Sequence, residues 1–408
     1  MFRFVHSADW QLGARFTQFG AKGAALREAR LVTLRRALEV ARQREVDAFI
    51  AAGDVFEDSQ VDESLVSATV QLFSEFPTVL IFLLPGNHDP FSGPGSVWLR
   101  RPFVNAPKHI RILGEATAIE LDGAFLVASP LHQKMSSLDP SLKLSELASN
   151  LPVGKVKVGV THGSPAIPGK HQPNDFPIAL NAASRAGLDY LAIGHWHNWL
   201  DVNDGGRVIM PGTPEPDSFD HKNCGYVAYV EIDSGGATPR IEQVTVASLR
   251  WKEMTFDFLS EDASRTSLGQ SFADLASDAG KTVVRVVLAG SATPRQISDV
   301  RVWLDRSLAP FLVGQISDKS SIVLSAAELQ DLQVRHPILS QVLADLDQLE
   351  TLATGRAPVA NVTHATPLTL AEAQDLLASA KIDLTALTAE QLTQTRQLLL
   401  QTMQDAAL

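Results

Sequence analysis

At 408 residues, 45% hydrophobic and 20% charged, the chain has length for two or three domains and the composition of an ordinary globular protein, not of a disordered or fibrous one. A formal charge of −11 argues against a protein coated in nucleic acid, though not against a local basic groove, and the single cysteine, Cys224, excludes an intrachain disulfide or a cysteine-based zinc site. No apolar run approaches the roughly 20 residues of a membrane span, and Phe2–His6 alternates like a strand instead of reading as a leader. A cytoplasmic protein with no membrane association is the expectation.

The first ~245 residues alternate short apolar strands with helical stretches, the order of a layered α/β domain. Strands are predicted at Phe2–His6, Asp47–Ala52, Val79–Leu84, Phe125–Ala128, Lys155–Thr161, Tyr190–Ile193, Arg207–Met210 and Tyr226–Ile232. Helices are predicted at Gly23–Gln43, Asp62–Glu75 and Ile178–Ala186. A second unit opens near Arg250 as a β-α-β-α-β run: strand Trp251–Phe258, helix Ala263–Ala279, strand Lys281–Leu288, helix Pro294–Leu308 with proline at its start, and strand Ser321–Leu324. The tail, with ten acids against four bases from Ala326 to Leu408, is helical in pattern. Leu339, Val342, Leu346 and Leu349 share a face, and Thr369 with Glu372 and Thr388 with Gln391 read as capping boxes. These patterns divide the chain into residues 1–248, 249–326 and 327–408, the last with a linker near 351–367.

Five clusters of metal-ligand type each fall where a predicted strand meets a Gly or Pro turn: Asp9-Trp10-Gln11, Gly53-Asp54, Gly86-Asn87-His88-Asp89, Thr161-His162-Gly163 and Gly194-His195-Trp196-His197. Any one alone is a weak signal, since an Asp after Gly or a paired His is common in polar turns. Together they offer carboxylates, an amide and imidazoles, a donor set without thiolate that suits Mn²⁺, Fe²⁺, Zn²⁺ or Mg²⁺. A carboxylate such as Asp54 can bridge two ions, and such a pair clamps a phosphate and activates water. His88 is the imidazole not needed for ligation and is the candidate proton donor to a leaving oxygen, with Asp89 placed to orient it. His6, inside the first strand, reads as a satisfied core group. His109, His132, His171, His221, His336 and His364 have no such context. Arg100 and Arg101, with Lys108 and Arg111 nearby, are candidate phosphate contacts or a solvated loop.

The ordered set resembles the calcineurin-like metallophosphoesterase superfamily. The stretches His6-Ser7-Ala8-Asp9-Trp10-Gln11-Leu12-Gly13, Ala52-Gly53-Asp54-Val55-Phe56, Pro85–Asp89, Thr161–Gly163, Gly194–His197 and Pro211-Gly212-Thr213-Pro214-Glu215-Pro216 are similar to its DNA-repair exonuclease branch: SbcD, Mre-type and YhaO-like nucleases. The resemblance implies a four-layer α/β-β/α sandwich followed by a small α/β capping domain. It implies a first metal held by Asp9, Gln11, Asp54 and His197 and a second by Asp54, Asn87, His162 and His195. It further implies a coiled-coil, SMC-like ATPase partner docked on the C-terminal helices, DNA as substrate, and a homodimer as a plausible assembly. Two departures stand out. Gln11 replaces the usual His of the first motif; its amide oxygen is a neutral, weaker donor that favours Mn²⁺ over Zn²⁺. Glu57 stands where some Mre-type nucleases carry a His. The expected activity is a Mn²⁺-dependent DNA exonuclease or endonuclease; the alternatives are a phosphoesterase on small molecules or phosphoproteins, and a weakly active scaffold protein.

Overall fold

The computed structural model describes residues 1–324, 326–335, 341–346, 348–349, 391–392, 394–395 and 398–399. The chain divides into two compact units, Met1–Trp251 and one that begins at Lys252. In chain order the first runs β1 (Phe2–Ser7), α1 (Gly23–Gln43), β2 (Ala48–Ala52), α2 (Glu63–Ser74), β3 (Ile81–Leu84), α3 (Arg101–Val104), β4 (Ile110–Ile112), β5 (Thr117–Glu120), β6 (Ala124–Ser129), α4 (Ser141–Ala148), β7 (Val156–His162), α5 (Ala182–Ala186), β8 (Tyr190–Gly194), β9 (Leu200–Asp201), β10 (Val208–Met210), β11 (Tyr226–Ile232) and β12 (Arg240–Thr245).

These strands form two six-stranded sheets, β12-β11-β1-β2-β3-β4 and β5-β6-β7-β8-β10-β9. Strands β1 through β4 run parallel to one another in the first sheet, as do β6, β7, β8 and β10 in the second. Their continuous apolar runs follow from burial on both faces. Phe4, Ile50, Phe82, Leu126, Val158 and Tyr190 share the core between the sheets. The alternate residues Val5, Phe49 and Leu83 face outward into a core with α1 and α2. On the other side Val127, Leu191 and Ile193 meet α4 and α5. The result is a four-layer α/β-β/α sandwich. Each fully buried Phe or Leu in these layers contributes on the order of 2 kcal/mol of transfer free energy.

The second unit holds a sheet in the order β13 (Arg250–Asp257), β14 (Thr282–Ala289), β16 (Val313–Asp318), with α6 (Glu261–Leu275) and α7 (Pro294–Leu308) packed on it, and a small pair of β15 (Ser291–Ala292) with β17 (Ser321–Ile322). Helix α7 begins with a complete capping box, Thr293 with Gln296, and Pro at its first position. Strand β16 escapes sequence reading because Gly314, Gln315 and Ser317 dilute its apolar pattern. The strand expected at Ser321–Leu324 is only the two-residue β17. A helix α8 (Ala326–Arg335) follows. Leu343 and Leu399 of the tail pack with this unit's core. The linker near 351–367 and the helix start at Thr369 lie outside the described residues. No helix among the described residues is long and apolar enough to cross a membrane.

Candidate metal centre

Each ligand-type cluster leaves the C-terminal end of a parallel strand: Asp9 and Gln11 after β1, Asp54 after β2, Asn87 and His88 after β3, His162 closing β7, His195 and His197 after β8. Because β1, β2 and β3 run parallel in one sheet and β7 and β8 in the other, these ends meet along one edge, where a rigid sheet fixes the backbone and turns present side chains. The turns are sharp. Asp9, Gln11 and Asp54 all adopt left-handed backbone (φ 55°, 46° and 52°), a conformation that costs a non-glycine residue on the order of 1 kcal/mol and clusters at functional sites. Two of these turns zip together, Asp9 N–H donating to Gly53 O (3.1 Å) and Gln11 N–H to Asp54 O (3.1 Å).

The side chains converge. Gln11 Nε2 donates to Asp54 Oδ2 at 3.1 Å, and His162 Nε2 lies 3.3 Å from the same oxygen. Asn87 Oδ1 stands 2.9 Å from both His162 Nε2 and His195 Nδ1. Asp9 Oδ2 accepts the His195 N–H at 3.1 Å. Six of the seven expected ligand residues, Asp9, Gln11, Asp54, Asn87, His162 and His195, are thus brought together, while His197 groups with Asp217 and His221 in an adjoining cluster. Asp54, His162 and His195 each bring one ligand atom within 4.8 Å of the others.

Electrostatics marks the centre as a cation site. Burial raises the Asp9 carboxyl although His162 and His197 pull it back. Burial would raise Asp54 too, but His162 and His88 hold it well below the usual carboxylate range. For His162, burial opposes the charge, yet Asp54 and Asp9 carry the imidazole up to about 9. Among the described residues, Asp9 Oδ1 and Gln11 Oε1 are buried acceptors with no hydrogen-bond partner. Such orphaned atoms are costly unless something binds them. A carboxylate only accepts, so the Gln11 NH₂ must face Asp54, which fixes its oxygen as the free atom. The residues present therefore fit a pair of divalent ions bound through oxygen and imidazole nitrogen.

Each imidazole at the centre is tethered through one ring nitrogen. His162 Nδ1 faces Ala52 O (2.8 Å), His88 Nδ1 faces Glu57 O (2.9 Å), His195 Nε2 faces Asp175 Oδ2 (2.8 Å) and His197 Nδ1 approaches Asp217 Oδ2 (2.9 Å). Outer tethers of this kind set ring orientation and tautomer.

Four sequence expectations are revised. Asp89 does not orient His88: its buried carboxylate accepts the N–H groups of Gly86 (2.7 Å) and Phe56 (2.9 Å), stapling the turn, and the main chain of Glu57 holds His88 instead. Arg100 is spent on the carbonyls of Val61 (2.5 Å) and Ser59 (2.6 Å), which leaves exposed Arg101 as the freer of the two arginines expected at phosphate. His221 has a context after all, bonded through Nδ1 to Asp217 (2.5 Å). Helix α5 starts at Ala182 because Ile178 is drawn into a bridge with Pro165. His6 is the core group expected, buried against the Tyr190 hydroxyl (3.0 Å) and held neutral by burial, at about 3.

Two sheets with an oxygen- and imidazole-rich cluster at their strand ends form a site that suits divalent cations. Residues 2–199 match the family model for calcineurin-like phosphoesterases, and this stretch is a calcineurin-like metallophosphoesterase domain. The chain is similar to the uncharacterized metallophosphoesterase YhaO of Bacillus subtilis, 23% identical over 75% of this chain and 76% of that one. It is 26% identical to the DNA double-strand break repair protein Mre11 of Methanopyrus kandleri, over 62% of this chain and 61% of that one. It is also 26% identical to the SbcD component of the nuclease SbcCD of Escherichia coli, over 60% of this chain and 68% of that one.

Proposed function

We propose that the chain is a dinuclear-metal phosphodiesterase that cuts DNA, with Mn²⁺ as its working ion. The reading is carried by the convergence of Asp9, Gln11, Asp54, Asn87, His162, His195 and His197 on one strand-end edge with two orphaned buried oxygens, and it is supported by likeness to a double-strand-break repair protein and to a component of a nuclease. Asp9, Gln11, Asp54 and His197 would hold one ion, and Asp54, Asn87, His162 and His195 the other. When bound, the two ions polarise the phosphoryl oxygens and acidify an attacking water. The chain's own residues do the rest. Asp54, pinned by the His88 and Gln11 N–H groups, stands between the two ligand sets. His88, whose Nδ1–H is tied to Glu57 O, donates a proton from Nε2–H to the departing oxygen in its doubly protonated form and is left as the neutral ring. DNA is the substrate, an ATPase docks on the C-terminal helices, and two copies pair.

A phosphoesterase on smaller substrates is the second reading. One observation favours it: a cavity of about 480 Å³ beside the centre, lined by Arg15, Glu57, Asp58, Asp217 and His221 among others, is a size that suits a small substrate. The test is Mn²⁺-dependent cleavage of end-labelled duplex and single-stranded DNA beside an aryl phosphodiester, with Asp54→Asn and His88→Ala as controls. DNA cleavage lost in both variants is the expected result. Cleavage of the aryl ester alone favours the second reading.

A further inference from the structure

The adjacent histidines His195 and His197 lie on opposite outer carboxylates, and they meet them through opposite ring nitrogens. We propose that Asp175 and Asp217 are positioning residues that set opposite tautomers in this pair, so that His195 presents Nδ1 and His197 presents Nε2 to the ions. The inference rests on the dinuclear reading above and deepens it.

A carboxylate has no proton to give, so the imidazole nitrogen facing it carries the hydrogen, and in a neutral ring the other nitrogen then carries the lone pair. For His195 the N–H is on Nε2, bonded to Asp175 Oδ2 at 2.8 Å; Nδ1 lies 2.9 Å from the Asn87 side-chain amide, which unlike a carboxylate can turn its NH₂ to a lone pair, and 3.3 Å from His162 Nε2, among the other ligands. For His197 the N–H is on Nδ1, 2.9 Å from Asp217 Oδ2 in an ion-pair approach rather than a straight hydrogen bond, which frees Nε2.

The two anchors differ in stiffness. Asp217 also accepts from His221 Nδ1 (2.5 Å) and pairs with Arg30 (3.3 Å), a buried cation whose guanidinium is itself bonded to Trp10 O (2.6 Å), the residue after Asp9. The His221 ring stands edge-on to His197, 4.7 Å between centroids. Three groups thus hold Asp217, and one of them ties it back to the turn that carries Asp9 and Gln11. Asp175 sits in the loop between β7 and α5, its side chain 32% exposed, with a bridge to Ser136 and main-chain bonds to Gln172 O and from Ser164 N–H (3.2 Å each) as its support. The carboxylate charge is favoured at both: the His195 bond lowers Asp175, and His197, His221 and Arg30 hold Asp217 far down against the effect of burial.

The test has two readouts, both on the full chain. In metal-free protein at alkaline pH, with histidines labelled with ¹⁵N, long-range ¹H–¹⁵N spectra report tautomers directly. The expected result is Nε2–H for His195 and Nδ1–H for His197; the same tautomer in both rings overturns the proposal, whatever the protein's metal content. In Mn²⁺ titrations followed by calorimetry and electron paramagnetic resonance, Asp217→Ala and Asp175→Ala should each weaken one class of site, about 10–100-fold, and not the same class. Asp217→Asn and Asp175→Asn, which keep an acceptor oxygen, should restore most of the loss. Unchanged affinity in both alanine variants, or equal weakening of both classes by each, overturns the proposal. Fewer than two ions on the wild-type chain would instead sink the dinuclear reading and leave the tautomer result standing by itself.

Discussion

Gly86→Ala is a one-methyl perturbation aimed at the carboxylate between the two ligand sets. A Cβ built on Gly86 falls 2.2 Å from Asp54 Oδ1 and 2.4 Å from the Asp54 amide nitrogen, distances that real Cβ atoms essentially never show. The Asp54 side chain and its left-handed backbone must retreat by about 1 Å, or β3's turn must. Overpacking a close-packed interior costs ~1–3 kcal/mol. The retreat also breaks the bond from His88 N–H to Asp54 Oδ1, 2.9 Å long, a charge-assisted contact worth about 1.5–3 kcal/mol. A loss of roughly 3–5 kcal/mol for the first unit is expected, and a shift of about 1 Å in a ligand is enough to reduce turnover on the order of 100-fold. Gly95→Ala is the control. Nothing lies within 4 Å of its Cβ and its φ is ordinary, so it should stay within about 0.5 kcal/mol of wild type. Thermal unfolding by circular dichroism, with and without Mn²⁺, measures both. Gly86→Ala as stable as Gly95→Ala, and binding Mn²⁺ as wild type does, would refute the reasoning.

Glu215, in the turn after β10, accepts from the Thr33 hydroxyl, from Ser248 N–H and Oγ–H (2.7 Å each) and from Leu249 N–H (3.1 Å), tying α1 to the end of the unit; Glu215→Ala should cost about 3 kcal/mol in a melt, and Glu215→Gln less. Arg100→Ala should destabilise the 57–61 loop without raising KM for DNA, since its guanidinium is already bound to Val61 and Ser59; a raised KM with unchanged melting would return it to the substrate. His162 supplies a pH test. Its pKa is raised from 6.5 to about 9, so in metal-free protein its stabilisation is full below 6.5 and lost as pH rises to about 9. Ion binding needs the deprotonated ring, so Mn²⁺ affinity should climb over that same window, with proton release measurable by calorimetry in buffers of different ionisation enthalpy. Affinity flat across the window would contradict the assignment.

The fold was legible where burial is two-sided. Strands β2, β3 and β8 are continuous apolar runs because helices cover one face and the opposite sheet the other, while β1 and β7 are interrupted by Arg3 and Lys157 near their starts. Strand β12 was not legible, because Arg240, Glu242 and Gln243 make an edge strand that is largely exposed. The ligand clusters were legible for a local reason: the tight turns that aim them need glycine next to the ligand. Gly53 adopts φ 97°, with His162 so close that a Cβ would fall 2.1 Å from its Nδ1. The outer anchors were not legible. Asp175 and Asp217 each act 20 residues away in sequence from the histidine they tether, and that pairing exists only after the sheets assemble. Asp89 misled for the converse reason. Sequence neighbours in a tight turn point different ways, and its carboxylate is taken by the amide of Gly86 in its own turn and that of Phe56 after β2.

The most direct test of the central claim is electron paramagnetic resonance of the full chain loaded with Mn²⁺. Two ions held on either side of Asp54 are close enough to couple, so the account predicts two Mn²⁺ per chain with an exchange-coupled signal that Asp54→Asn abolishes. Two uncoupled ions, or a single isolated-ion spectrum indifferent to Asp54→Asn, would contradict it.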